Sequence, residues 1–147
     1  MRRGVYLMAK QIYEVIELLN KQKTKVDKIK VLKENESWAL KDFIRGVMDS
    51  TIEFLLPKGA PPPYTAAEEH NCPSSFLREN KKLAYFVKGS PKAENLPALK
   101  RESVFIGMLE SINPNDAQLM VEMINKKVPK GLTRPIVEEA FPGLLRD

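Results

Sequence analysis

Residues 113–124 read NPNDAQLMVEMI and carry a well-marked helix start followed by a buried stripe. Asn113 is a favourable N-cap, Pro114 suits the first helical position, and Asp116 places an acid in the first turn. Four apolar residues then recur at the three- or four-residue spacing of one helix face: Ala117, Met120, Val121 and Ile124. The run therefore predicts an amphipathic helix that packs against other elements.

The same spacing of apolar residues recurs on both sides of this helix. It predicts further helices at about residues 9–19, 24–33, 36–48, 75–87, 97–111 and 134–141. Val26, Trp38 and Leu99 are expected to face the core. The expected N-caps are Thr24, Ser37 and Thr133. Because the sequence shows no alternating strand pattern of useful length, we predict an all-α fold, a compact single domain over residues 1–147 with about six to seven short helices.

Residues 50–75 depart from the helical pattern and are predicted to form a Pro-rich extended arm followed by a polar loop. Four of the eleven prolines lie between Ile52 and Thr65, and each biases the preceding residue towards extended backbone. The apolar run at residues 54–56 leads into this segment, which favours an arm packed on the domain. The alternative is an exposed polyproline ligand, with the protein acting as an adaptor that docks on a sliding clamp or a host polymerase.

Length and composition place the chain among soluble globular proteins of one domain. It has 147 residues, of which 43% are hydrophobic and 29% are charged. No run approaches the length of a membrane span, and Met1–Arg3 is not followed by the apolar core of a signal peptide. Cys72 is the only cysteine, which excludes an intrachain disulfide and predicts a reducing, cytoplasmic location with no membrane partner.

The residue types needed for catalysis or metal binding are scarce. His70 and Cys72 lie two residues apart, but they are the chain's only histidine and only cysteine, too few for a zinc site or an activated thiol. Adjacent carboxylates such as Glu138 and Glu139 diverge by about 100° on a helix, and no Gly-rich phosphate loop is present. We therefore predict a protein that is not an enzyme and that uses neither a metal nor a cofactor.

The net charge of +5 is concentrated in three basic segments at residues 21–33, 78–92 and 126–134. The loop at residues 125–135 holds cations but no acid, and it ends where a helix is predicted to begin, a position whose N–H groups and dipole attract phosphate. Candidate nucleic-acid contacts in this loop are Lys126, Lys127, Lys130 and Arg134. The alternative is that these cations only complement a helix C-terminus and stay solvated.

Two aromatic residues, Tyr85 and Phe86, lie beside lysines in the second basic segment. Aromatic rings next to cations are typical of surfaces on which unpaired bases stack. The alternative is that both rings belong to the hydrophobic core.

Three segments follow one another in the last third of the sequence: a helix start NPND at residues 113–116, a loop KKVPKGLT at 126–133 and an ending IVEEAFPGL at 136–144. Together with residues 16–35, this order resembles the N-terminal helical DNA-binding domain of T4-type ATP-dependent DNA ligases. The resemblance implies backbone contacts to duplex DNA by residues in helix-end loops: Lys126, Lys127, Lys130, Gly131, Thr133, Lys23 and Lys25. The Lys-x-Asp-Gly nucleophile motif of the ligase catalytic domain is absent from the sequence, so the resemblance implies a stand-alone binding domain.

Residues 52–65, 85–89 and 100–103 are similar to an uncharacterised family of small proteins from T4-like phages of marine bacteria. This similarity implies a phage origin and the host cytoplasm as the location. We therefore predict a non-catalytic phage DNA-binding accessory protein that grips the backbone of double-stranded DNA and serves replication, repair or transcription.

Overall fold

The computed structural model describes residues 10–146, and the regular structure in this part of the chain is almost entirely helical. Within residues 10–146, eight α-helices and one 3-10 helix follow in order: α1 (Ile12–Lys21), α2 (Lys25–Glu34), α3 (Trp38–Met48), α4 (Phe76–Glu79), the 3-10 helix (Asn80–Tyr85), α5 (Pro91–Glu94), α6 (Ala98–Ser111), α7 (Pro114–Ile124) and α8 (Arg134–Ala140). The all-α prediction is confirmed. The short helix α5 lies in a segment for which no helix was predicted, while Met1–Arg3 and the helix start expected at Ala9 lie outside the described residues.

Three of the expected N-caps hold the first turn of their helices through a side-chain hydrogen bond. The side chains of Thr24, Ser37 and Asn113 each accept a bond from a backbone N–H two or three residues further on, at 2.8–3.1 Å. Thr133 also occupies the N-cap position of its helix, but its side chain makes no capping bond. Cap residues therefore position α2, α3 and α7, because they satisfy N–H groups that the helix itself leaves without a partner.

Helix α7 lies at the centre of the packing, since it contacts α1, α3 and α6. Helix α2 packs on α1 and on α8, so that the last helix closes against the first two. The contact between α3 and α7 is close at Gly46, where a Cβ atom would lie 2.6 Å from the sulfur of Met123. One hydrophobic cluster runs from Ile12 in α1 to Phe141 after α8.

Three residues expected in the core lie instead on the surface. Val26, Trp38 and Leu99 are 75%, 74% and 82% exposed, so the prediction was wrong for each. Each lies in the first or second position of its helix, where no preceding turn flanks it. The apolar spacing shows which residues share a face, but near a helix end the neighbouring elements decide whether that face is covered.

The Pro-rich arm is held on the domain at two points, at residues 53–55 and at Gly59. The amide of Leu55 donates to the carbonyl of Phe86 at 2.6 Å, and the amide of Lys88 donates to the carbonyl of Glu53 at 2.7 Å, an antiparallel bridge. Further along, the backbone of Gly59 exchanges two hydrogen bonds with the side chain of Asn125 at the end of α7, at 2.6 and 3.1 Å. The arm thus has the packed arrangement that its apolar residues favour.

No helix among residues 10–146 combines the length and the apolar character that crossing a bilayer requires.

Candidate nucleic-acid interface

The basic loop between α7 and α8 begins with a tight helix ending. Lys126 adopts a left-handed backbone conformation with φ of 57°. The amide of Lys126 donates to the carbonyl of Met123 at 3.0 Å, and that of Lys127 donates to the carbonyl of Glu122 at 2.8 Å. This pair of bonds is a Schellman motif, which usually places glycine where Lys126 stands. The motif ends α7 and turns the chain towards the rest of the loop.

A second turn follows at residues 129–132 and carries Lys130 and Gly131 at its tip. The amide of Leu132 donates to the carbonyl of Pro129 at 3.3 Å, and Gly131 has a φ of 90°. Such a positive φ at the third residue of a turn favours glycine, because a Cβ atom would be strained there. Leu132 is buried and anchors the turn on the core.

This turn docks against the C-terminal end of α1. The side-chain amide of Asn20 donates to the carbonyl of Lys130 at 2.9 Å and to the carbonyl of Ile16 at 3.1 Å. The approach is so close that a Cβ atom on Gly131 would lie 2.3 Å from the Asn20 side-chain oxygen. The contact places Lys130 beside the segment that contains Lys21 and Lys23, and it joins two basic segments that are 110 positions apart in sequence.

Four lysines next to the Asn20–Lys130 contact are exposed, and their ammonium groups form no ion pair with a described residue: Lys21, Lys23, Lys127 and Lys130. We refer to these four residues as the lysine cluster. In the sequence, each of these four lysines lies within three positions of Asn20 or is Lys130 or a residue within three positions of it. The Asn20–Lys130 contact thus brings lysines from two distant parts of the sequence near one another, while Lys127 also borders a groove lined by Gly59, Tyr64 and Glu122.

Two further predicted cations next to the cluster are paired with acids of α8. The ammonium of Lys25 lies 3.5 Å from the carboxylate of Glu139, and Nε of Arg134 lies 3.1 Å from that of Glu138. The side chains of Lys25 and Glu139 are more than half exposed, and such pairs contribute at most about 1 kcal/mol. Lys25 can therefore exchange its partner for a phosphate at little cost, whereas the side chain of Arg134 is only 37% exposed.

Lys126 occupies a different position from the other cations of the loop. Its Nζ donates to the carbonyl of Gly46 at 2.7 Å and to the carbonyl of Asp49 at 3.0 Å. The same atom lies 5.2 Å from the centre of the Phe54 ring. The ammonium thus satisfies carbonyls at the end of α3, where a cation is also favoured by the helix dipole. The ammonium of Lys126, predicted to contact DNA, is therefore directed at the end of α3 instead.

The start of α8 offers less to an anion than the sequence suggests. The helix has seven residues, and Pro135 in its first turn carries no backbone N–H. Thr133 is exposed and lies at the edge of the loop. The lysine cluster, and not the helix end, therefore provides the positive charge of this surface.

The remaining basic segment, residues 78–92, lies on α4, the 3-10 helix and α5, where several of its cations have partners. Lys82 pairs with Glu79 at 2.6 Å, and Lys88 pairs with Glu53 at 3.3 Å. Phe86 is fully buried and meets Phe105 edge to face at 5.4 Å between ring centres, so it belongs to the core. No described contact joins this segment to the lysine cluster.

His70 and Cys72 lie in the polar loop, as the sequence predicts. The thiol of Cys72 donates to the carbonyl of Glu68 at 3.2 Å, and His70 is exposed. Within residues 10–146, no group of three or more histidine, cysteine or acidic side chains has the spacing to hold a metal ion.

Two buried carboxylates are features that the sequence did not reveal as buried. Asp116 is fully buried and accepts a hydrogen bond from the amide of Tyr13, at the start of α1, at 2.8 Å. Burial raises the pKa of Asp116 to about 6; the Tyr13 N–H bond opposes this shift, and the nearby charge of Glu14 adds to it. Asp49, also fully buried, accepts from the amide of Arg146 at 2.9 Å. Both carboxylates tie distant backbone segments together.

No curated protein matches the chain. A family described as "Family of unknown function (DUF6433)" matches residues 15–130, which include most of α1 and the chain up to the tip of the basic turn. Because this match covers most of the 147 residues, the chain belongs to the DUF6433 family of unknown function.

Proposed function

We propose that the protein is a non-catalytic DNA-binding protein that grips the backbone of double-stranded DNA through the lysine cluster. The observation that carries this proposal is the hydrogen bond from Asn20 to the carbonyl of Lys130, which brings two acid-poor basic segments to one surface. Lysine ammonium groups are mobile point charges that contact phosphates without reading base edges. The binding is therefore weakly dependent on sequence.

The number of free ammonium groups sets the expected salt dependence. If each of the four lysines of the cluster neutralises one phosphate, log K falls with log salt at a slope of about −3.6. Between 50 and 200 mM salt, this slope corresponds to a loss of affinity of about 150-fold. Engagement of Lys25 and Arg134 would make the slope steeper.

The direct test is a titration of a labelled DNA duplex with the protein at several salt concentrations. Replacement of Lys21, Lys23, Lys127 and Lys130 by glutamine should abolish most of the binding. A matched control replaces four other exposed lysines that form no ion pair with a described residue by glutamine: Lys10, Lys58, Lys81 and Lys92. Both variants lower the net charge by the same amount, so only the location of the charge differs. Undetectable binding at low salt, or an equal loss in both variants, would refute the proposal.

The acids of α8 provide a test in the opposite direction. Replacement of Glu139 by glutamine removes the partner of Lys25 without altering the lysine cluster. The affinity for duplex DNA should then rise by a few-fold, because Lys25 no longer has to exchange a carboxylate for a phosphate. Unchanged or weaker binding would place Lys25 outside the interface.

A role in phage DNA replication or repair rests on the resemblance to ligase domains and to phage proteins, and it remains a prediction. The same holds for the adaptor alternative, in which the Pro-rich arm docks on a sliding clamp or a host polymerase. The arm's backbone is bonded to Phe86 and Asn125, so it is not free to add to a partner at these points. The structural observations therefore support DNA binding better than the adaptor function.

A further inference from the structure

An open pocket of about 540 Å³ lies between α6 and the segment of α4 and the 3-10 helix. Its lining combines aromatic and apolar residues, including Tyr85 and Val104, with three charged residues: Glu79, Lys82 and Lys100. Small-molecule sites are typically concave, mostly apolar and furnished with a few convergent polar groups, with volumes of about 300–1,000 Å³. This pocket has that character, and it shares no residue with the lysine cluster.

Gly107 on the pocket wall has no structural reason to be glycine. It lies inside α6, where glycine is less favourable than alanine, and its φ is not positive. A Cβ atom added to it would meet no other atom within 4 Å, so no close packing requires the bare backbone. What the missing side chain does provide is space in the pocket.

The charges around the pocket favour an anion. The ammonium of Lys82 lies 2.6 Å from the carboxylate of Glu79, so these two charges offset each other. The ammonium of Lys92 lies 5.7 Å from the centre of the Tyr85 ring. Lys100 is exposed and forms no ion pair with a described residue. Among the residues that line the pocket, two lysines stand against one glutamate, and Tyr85 lies in the same wall.

We propose that this pocket binds a nucleotide, with the base against Tyr85 and the phosphate on Lys100. Aromatic rings stack on any nucleobase, and lysine ammonium groups contact phosphate. A free nucleotide and an unpaired nucleotide at the end of a DNA strand present the same chemistry to this pocket. The site is separate from the duplex surface and goes beyond the function proposed for it.

The test measures the binding of a nucleoside 5′-monophosphate to the protein, by calorimetry or by the NMR chemical shifts of pocket residues. Inorganic phosphate and the uncharged nucleoside serve as partial ligands and should bind more weakly. Gly107→Leu fills the pocket from a position with open space, and Lys100→Gln removes the phosphate partner. Each variant should raise the Kd at least tenfold, whereas the control Gly107→Ala should retain binding and melt no lower than the unmodified protein.

Two DNA probes distinguish the source of the nucleotide. If the pocket receives a strand end, a duplex with an unpaired terminal nucleotide will bind more tightly than a blunt duplex, and Gly107→Leu will remove the difference. If it receives a free nucleotide, only the monophosphate will respond to Gly107→Leu. The proposal is overturned if the monophosphate causes no change at millimolar concentration, or if Gly107→Leu and Lys100→Gln bind it like the unmodified protein. Loss of the lysine cluster should leave monophosphate binding intact, which keeps the two proposals independent.

Discussion

Replacement of Lys126 by methionine should separate the stability of the fold from its interaction with DNA. Methionine keeps the apolar length of the side chain next to Phe54 but removes the ammonium group. The carbonyls of Gly46 and Asp49 then lose donors at 2.7 and 3.0 Å. A hydrogen bond from a charged donor contributes about 1.5–3 kcal/mol when well buried. Lys126 makes two such hydrogen bonds but is only half-buried. We therefore expect the free energy of unfolding to fall by about 2–4 kcal/mol when both are lost.

A second substitution at the same position isolates the cost of the backbone conformation. Lys126 has a φ of 57°, and a left-handed conformation costs a non-glycine residue about 1–2 kcal/mol. Lys126→Gly removes this cost along with the same two hydrogen bonds. The glycine variant should therefore be more stable by about 1–2 kcal/mol than Lys126→Ala, which lacks the same hydrogen bonds and the same apolar stem, although less stable than the unmodified protein.

Urea unfolding monitored by circular dichroism measures these differences, and the midpoint of thermal unfolding should fall by about 6–12 °C for a loss of about 3 kcal/mol. DNA affinity is measured in parallel at a temperature where every variant is folded, with Lys130→Met as the matched surface control. The expected pattern is a stability loss at Lys126 and an affinity loss at Lys130. If Lys126→Met left stability unchanged and weakened DNA binding as much as Lys130→Met, the inward placement of the ammonium would be refuted.

Three further substitutions test other parts of the structure. Because the pKa of Asp116 is raised, the folded state holds a proton between about pH 4 and pH 6 that the unfolded state releases. The contribution of this carboxyl group to stability therefore falls as the pH rises through that window. The difference in unfolding free energy between Asp116→Asn and the unmodified protein should therefore change by about 2.5 kcal/mol from pH 4 to pH 7, and a constant difference would contradict it. Gly131→Ala should lower the free energy of unfolding by about 2–3 kcal/mol, because it places a side chain on a left-handed residue and displaces Asn20. The double change with Asn20→Ala should lower it by less than the sum of the two single changes. Gly107→Ala should stabilise the protein by up to about 1 kcal/mol, measured by chemical unfolding, and destabilisation would mean that the space at this position is not open.

The helical fold and the ends of several helices could be predicted from the sequence because their causes are local. The cap bonds of Thr24, Ser37 and Asn113 span two or three residues, so the residue type and its neighbours are enough to recognise them. The positions of Trp38 and Leu99 could not be predicted in this way. Their exposure depends on which elements cover the first turn of a helix, and that is a property of the packing.

For the candidate site, too, local features could be predicted from the sequence and contacts between distant residues could not. The basic segments were visible from residue types and spacing, because charge is a property of single side chains. Which cations act together was decided by contacts between distant parts of the chain. Asn20 and Lys130 are 110 positions apart, and Lys126 and Gly46 are 80 positions apart. The first contact assembles the lysine cluster, whereas the second turns a loop lysine into a cap for α3.

The sequence alone thus determined the all-α class, the capped starts of α2, α3 and α7, and the excess of positive charge, since each of these follows from residue types or from interactions within a few residues. Only the tertiary structure decided that the basic turn docks on α1, that Asp116 is buried against the start of the same helix, and that the Pro-rich arm is packed. Asp116 and Tyr13, for example, meet across 103 positions. Such contacts form when the apolar faces of the helices pack together, and no local pattern specifies which polar groups that packing will bring within hydrogen-bonding distance.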